Sequence, residues 1–218
     1  MLRTGLLAAL ALGMVVIAGG RADAQARGGI GSGWGGVELL LNPAVQRELK
    51  MDGPAVEKAR GLAVEMREKQ KGLNALLEGL EGEDRSRRIQ ELAAAHAEQG
   101  NRAIGAILDP GQFARFRQVD LQQRGASALA EPQVAQALRL SPEQLDKLKP
   151  LLNHSVVRLR EAAALSRGDR RAAFEKTQAI RKETDEAALA LLDAGQKKAW
   201  HEMIGEPFDP NPAGRAAR

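Results

Sequence analysis

The chain contains no cysteine and no tyrosine, and only six aromatic residues, four Phe and two Trp, among 218. Without cysteine there is no disulfide, no thiol nucleophile, no thiolate metal site and no lipidated N-terminal cysteine. So few aromatics leave no stacking platform for single-stranded nucleic acid. The apolar content is mostly Ala, Leu and Val, which suits thin helical layers better than a deep core. Charge of one sign is also missing. With 32 basic and 28 acidic residues the formal charge is +4, unlike the one-sided surface of a nucleic-acid binder. There is no GxSxG, no phosphate-cradling glycine loop and no histidine–carboxylate set, so the sequence points away from an enzyme and names no cofactor.

What is present begins at the N-terminus. Arg3 precedes a small or apolar run from Gly5 to Ala18, and Gly19, Gly20, Arg21 and Ala22-Asp23-Ala24 follow. That order is the pattern of a secretory signal over residues 1–24, cleaved before Gln25. The run is shorter than the roughly 18 residues of a membrane span, so none is expected after cleavage. The expected location is periplasmic or secreted. Residues 25–41 form a Gly-rich leader in which Trp34 is either a loosely packed side chain or an aromatic anchor for a partner. Residues 205–218, with Pro207, Pro210, Pro212 and a basic end, read as a flexible tail.

The main internal feature is a repeat. Asn42-Pro43-Ala44-Val45 with Leu49-Lys50-Met51 returns 89 residues later as Glu131-Pro132-Gln133-Val134 with Leu138-Arg139-Leu140. Ile107-Leu108-Asp109-Pro110-Gly111-Gln112 returns after 84 as Leu191-Leu192-Asp193-Ala194-Gly195-Gln196, and Phe116 pairs with Trp200. The difference is absorbed in polar turns, Glu78 to Arg88 and Ser166 to Arg171, where deletions are tolerated. Two units follow, 42–119 and 131–204, joined by a partly helical connector, 120–130, around Gly125. Apolar residues recur in steps of three and four in both arms of each unit, as in Leu145, Leu148, Leu152, Val156 and Leu159. The fold expected is all-α: two tandem antiparallel helical-hairpin units with short capping helices. Pro150 should kink or interrupt its helix near residues 146–149.

Helix starts are marked by Leu108-Asp109-Pro110-Gly111-Gln112, Leu140-Ser141-Pro142-Glu143-Gln144 and Leu192-Asp193-Ala194-Gly195-Gln196. Asp109, Ser141 and Asp193 accept a free backbone N–H, while Gln112, Gln144 and Gln196 reach back to the cap backbone. Met51-Asp52-Gly53-Pro54-Ala55 is a degraded fourth copy without the glutamine. These motifs, with the export pattern and helical hairpins, resemble the LTxxQ-motif family, the Spy/CpxP-like periplasmic proteins, apparently as a tandem duplication. Ser or Asp replaces the motif's Thr and keeps the cap. The resemblance implies a thin curved helical cradle, often dimeric, that binds unfolded clients or an envelope-stress sensor, with metal binding in some relatives. The implied partners are unfolded or envelope proteins, or a sensor protein, and a homodimer is one arrangement it allows.

Three groups of residues are candidates for more than packing. His96 lies on an apolar stripe opposite Ile180 in the repeat, which reads as a core histidine, whereas His154 and His201 match Glu65 and Arg117. No two histidines are equivalent, and His201-Glu202 lacks a second histidine, so no metal site is assigned. A metal-responsive or metal-buffering protein is the competing function, and a purely structural or sensor-binding module a third. The clusters Asp84-Arg85-Ser86-Arg87-Arg88 and Asp169-Arg170-Arg171 are solvated turns or basic tips for acidic clients. Phe113, Phe116 and Trp200, with Met66 and Met203, are either packing anchors or an apolar client-binding face.

Overall fold

The computed structural model describes residues 36–76, 79, 82–165 and 168–208, without the side chains of 70–76, 82–83, 85–87, 89–90 and 93–97. The export segment, Trp34, the side chain of His96 and residues 209–218 lie outside the described residues. A first 3-10 turn, Val37–Leu41, leads into α1 (Pro43–Glu48), α2 (Gly53–Leu76), α3 (Gly82–Gly105) and α4 (Pro110–Arg124). A second 3-10 turn, Gly125–Ala130, leads into α5 (Pro132–Ala137), α6 (Pro142–Leu165), α7 (Arg170–Ala190) and α8 (Ala194–Ile204). The fold is all-α, with no strand among the described residues. The same succession of a 3-10 turn and four helices occurs twice. The connector is helical throughout, being the end of α4 followed by the second 3-10 turn.

Short polar side chains set the element boundaries. Asn42 Oδ1 accepts from Ala44 N at 2.8 Å and starts α1, with Pro43 in the first turn. Asp52 Oδ1 accepts from Ala55 N at 2.8 Å at the head of α2, so the degraded motif still caps. Both short helices end alike. Lys50 and Arg139 sit at φ 50° and 52°, in the left-handed region. Met51 N then reaches Gln46 O, and Leu140 N reaches Ala135 O, both at 2.9 Å. Lys50 N and Arg139 N close the inner bonds to Arg47 O and Gln136 O at 3.0 Å. This is the Schellman ending, usually built on glycine.

The apolar side chains gather in two cores that correspond position by position. The first holds Leu40, Val45, Leu49, Ala59, Ala63, Ile104, Leu108 and Phe116, and the second holds their repeat equivalents Leu129, Val134, Leu138, Leu148, Leu152, Ala188, Leu192 and Trp200. Leu40 and Leu129 lie in the 3-10 turns, so each unit begins before the proline motif that marks it in the sequence. Unit 1 thus includes part of the segment read as leader. One pair of positions exchanges chemistry. Where unit 1 has Met66 and Gly100, unit 2 has Ser155 and Thr184, whose hydroxyls lie 2.9 Å apart inside the α6–α7 contact. Thr184 Oγ1 also reaches Ile180 O at 2.7 Å, so the buried pair is satisfied.

Helices α6 and α7 lie side by side. Their pairings Ser155–Thr184 and Arg158–Glu183 (2.7 Å) run in opposite directions along the chain, so the two are antiparallel. Pro150 does not interrupt α6, which continues from Pro142 to Leu165. The ring removes the backbone bond to Asp146 O and crowds that carbonyl, at a cost of about 3 kcal/mol in a helix interior. Burial of Leu148, Leu152 and Ala162 on the same helix outweighs that loss, at roughly 1.5–3 kcal/mol for each leucine.

Candidate functional site

The cap glutamines do more than cap. Asp109–Gln112, Ser141–Gln144 and Asp193–Gln196 each form the reciprocal backbone bonds of a capping box, at 2.8–3.2 Å. Each glutamine then uses its remaining N–H groups across the fold. Gln112 Nε2 donates to Leu49 O at 2.8 Å, tying the start of α4 to the end of α1. Gln196 Nε2 reaches Arg139 O at 3.3 Å, the equivalent of Lys50 O, which Gln112 Nε2 meets at 3.4 Å. Gln144 Nε2 donates to Leu191 O at 2.8 Å, and the amides of Gln144 and Gln196 exchange bonds of 2.7 and 3.0 Å. Unit 1 has Ala55 at the position of Gln144, so this amide pair belongs to unit 2 alone.

The aromatic and methionine candidates are placed mostly inside. Phe116 is 0% exposed, Met66 3% and Trp200 5%, so they supply core packing in this structure. Phe113 and Met203 are half-buried against the first and second cores. Phe113 stacks on Phe116 with ring centroids 6.3 Å apart. Among the described residues, the large apolar side chains that do face solvent are Val64, Val157, Leu165 and Phe174, the last 51% exposed. These were missed in the sequence. Val157 and Phe174 occupy positions where unit 1 has the polar Glu68 and Gln90, and comparing the copies would have exposed them. By the antiparallel pairing, Leu165 and Phe174 stand at the same level, near the turn joining α6 to α7.

The charged candidates whose side chains are described are surface groups; the side chains of Arg85 and Arg87 lie outside the described residues. Asp84 and Arg88 lie within α3, which begins at Gly82, rather than in a loop, and Arg88 pairs with Glu91 at 3.1 Å. Asp169 caps α7 through Ala172 N at 2.9 Å, and Arg171 pairs with the exposed Glu175. His154 and His201 are exposed. Among the described residues no three His, Asp or Glu converge as a metal set would require.

A different arrangement lies where the two units meet. After α8 the chain turns at Gly205, with φ 63°, and residues 205–208 cross onto α4 of unit 1. A Cβ at 205 would come 2.5 Å from Gln118 Cδ, so that amide would have to shift, and the left-handed φ is what calls for glycine. Gln122 holds the segment from both sides. Its Nε2 donates to Ile204 O at 2.6 Å and Glu206 O at 2.8 Å, and its Oε1 accepts from Phe208 N at 2.8 Å. Arg115 Nη1 donates to Glu206 O and to Gln118 Oε1, both at 2.9 Å, while its Nε pairs with Glu48 at 2.8 Å. Phe208 packs against the first core. The segment read as the start of a flexible tail is therefore docked through residue 208. In return, Leu121 from the end of α4 is buried in the second core.

Charged groups line the same junction. Asp120, almost fully buried, lies 3.4 Å from Arg124 Nε, and Arg124 Nη2 pairs with Glu131. Burial pushes the Asp120 carboxyl above its usual range, against the pull of Arg124 and Arg117. Asp185 on α7 accepts from Ala126 N at 2.7 Å, fixing the second 3-10 turn, and a Cβ on Gly125 would come within 2.5 Å of its Oδ1. Burial raises the Asp185 carboxyl too, opposed by the Ala126 hydrogen bond and Arg181. No helix among the described residues is long and apolar enough to cross a membrane. No protein-family model, curated protein or solved structure matches the chain.

Proposed function

We propose that the protein is an exported, non-enzymatic protein-binding factor that holds unfolded or envelope proteins without nucleotide. The observation that carries this reading is the α6–α7 pair. Beyond their base at the second 3-10 turn these helices touch mainly each other, and they present Val157, Leu165 and Phe174 to solvent. Exposed apolar side chains suit transient capture of extended chains by apolar contact. The N-terminal export pattern and the capping motifs shared with Spy/CpxP-like proteins support the same reading and a periplasmic location.

The test is light scattering of a chemically unfolded client diluted into buffer with the mature chain, residues 25–218, and no ATP. Suppression at near-stoichiometric ratios is expected, and Phe174→Ser with Leu165→Ser should weaken it several-fold. No suppression across several clients would remove the holdase reading.

A further inference from the structure

The two units share one plan, and one face of the α6–α7 hairpin departs from it. In unit 1, Arg67 on α2 crosses to Glu38 in the first 3-10 turn with two bonds of 2.9 Å, so this position looks toward the turn. Its equivalent on α6 is Val156, and the equivalent of Glu38 is Ser127, whose hydroxyl donates to Arg124 O at 2.6 Å. Spacings of four and three carry the same face along α6, from Leu152 in the second core through Val156 and Leu159 to Ala163. On α7 the matching stripe starts at Asp185, which meets Ala126 N of the second 3-10 turn, and runs through Arg181 and Thr177 to Phe174. Unit 1 has Arg67, Gln70, Asn74 and Gln90 where unit 2 has Val156, Leu159, Ala163 and Phe174. Four positions polar in one copy are apolar in the other, all on one face.

Among the described residues, the second 3-10 turn covers this face at its base. Farther out, Val156 and Leu159 are half-buried, and Ala163 and Phe174 are exposed. Two antiparallel helices with apolar stripes on the same side leave a groove along their seam, the shape that a third helix fills. From Val156 to Ala163 the groove runs about 11 Å, two helical turns. The opposite face differs in kind. It carries the Arg158–Glu183 pair, and Leu165, seven residues on from Arg158, stands there.

The charges beside the groove select its occupant. Arg160 on α6 and Arg170 on α7 are exposed at its edges, and Arg181 lies along it beside Asp185. The Asp185 carboxylate is engaged with Ala126 N, so the groove is apolar in the middle and positive at the rim. A second copy of the same hairpin would set arginines against arginines, which argues against self-pairing through this face. The chain's own ends match no better. Residues 25–35 hold Arg27 and no acid, and residues 209–218 hold one acid against two arginines.

We propose that this groove docks an amphipathic helix of a partner protein, apolar on one side and acidic along its flanks. The apolar stripe lies on Val156, Leu159, Ala163 and Phe174, and Glu or Asp side chains of the partner meet Arg160, Arg170 and Arg181. The 3-10 turn sets where the helix stops. This rests on the protein-binding reading of α6–α7 and names the face and the partner chemistry for it.

The test uses the mature chain and three fluorescein-labelled peptides of about four helical turns, read by anisotropy. The first carries a leucine stripe flanked by glutamates, the second has lysines in place of the glutamates, and the third is a scramble of the first. The glutamate peptide should bind at least about tenfold more tightly than either of the others. Val156→Arg with Phe174→Gln installs the residue types of unit 1 and should weaken that binding at least about tenfold, whereas Leu165→Gln on the opposite face should leave it unchanged. Arg160→Glu should weaken the glutamate peptide and strengthen the lysine peptide, a gain that a misfolded variant would not show. Equal binding of the glutamate and lysine peptides, tight binding of the scramble, binding of none, or an equal loss at Leu165 overturns the groove. The two readings fail separately. Selective peptide binding without suppression of client scattering upholds the groove and removes the holdase, whereas suppression with no peptide selectivity overturns the groove alone.

Discussion

Lys50 and Arg139 are the residues whose backbone works hardest against its own chemistry. Each holds a left-handed conformation that costs an L-residue roughly 1–2 kcal/mol, at equivalent places in the two units. Glycine removes that cost but adds freedom to the unfolded chain. Lys50→Gly and Arg139→Gly should each stabilise by about 0.5–1 kcal/mol in denaturant unfolding, and a loss would show that the side chains contribute contacts of their own. These positions were not legible in sequence, because neither residue type advertises a positive φ. Asp120 was equally hidden, since its repeat equivalent is the apolar Ile204. Its carboxyl is raised by burial, so the folded chain takes up a proton at a pH where the unfolded chain, near pKa ~3.9, is still ionised. Asp120 therefore favours folding below the unfolded pKa, and that contribution is lost as pH rises through the folded one. Asp120→Asn should raise Tm near about pH 8 and help progressively less toward about pH 4. A pH-independent difference would remove this account.

At the scale of elements, the capping boxes were readable because cap chemistry is local. Which turn lies opposite each cap was not, because spacing along one strand of sequence says nothing about the carbonyl across the fold. Gln144 and Gln196 show the consequence, each saturating the other's amide while holding its own helix start. Gln144→Ala and Gln196→Ala should each cost about 1–2 kcal/mol, and a double-mutant cycle should give a coupling near 1 kcal/mol. Additivity would mean the amide pair is not formed in solution. Pro150 marks a different limit. A local rule foretold a kink or an interruption, and α6 is not interrupted, because its apolar face is buried on α7. The exposed Val157 and Phe174 were overlooked because the helical stripes were traced in each copy separately.

For the whole molecule, the helical class and the internal duplication were plain from apolar periodicity and repeated motifs. The joining of the units was not, because it rests on particular long-range contacts: Leu121 in the second core, Phe208 against the first, and Gln122 and Arg115 on the main chain of residues 204–208. Those contacts should make the chain melt in one transition. Leu121→Ala, which empties a buried site in the second core from a helix of the first unit, should cost about 2–5 kcal/mol without splitting it. Two separated transitions would show the units to be independent. The docking of Phe208 also bears on biogenesis. Domains commonly fold in the order they leave the ribosome, N-terminal first. Here the earlier-made unit waits for a side chain that follows the whole of the second unit, so its last contact forms only after that second unit has been made.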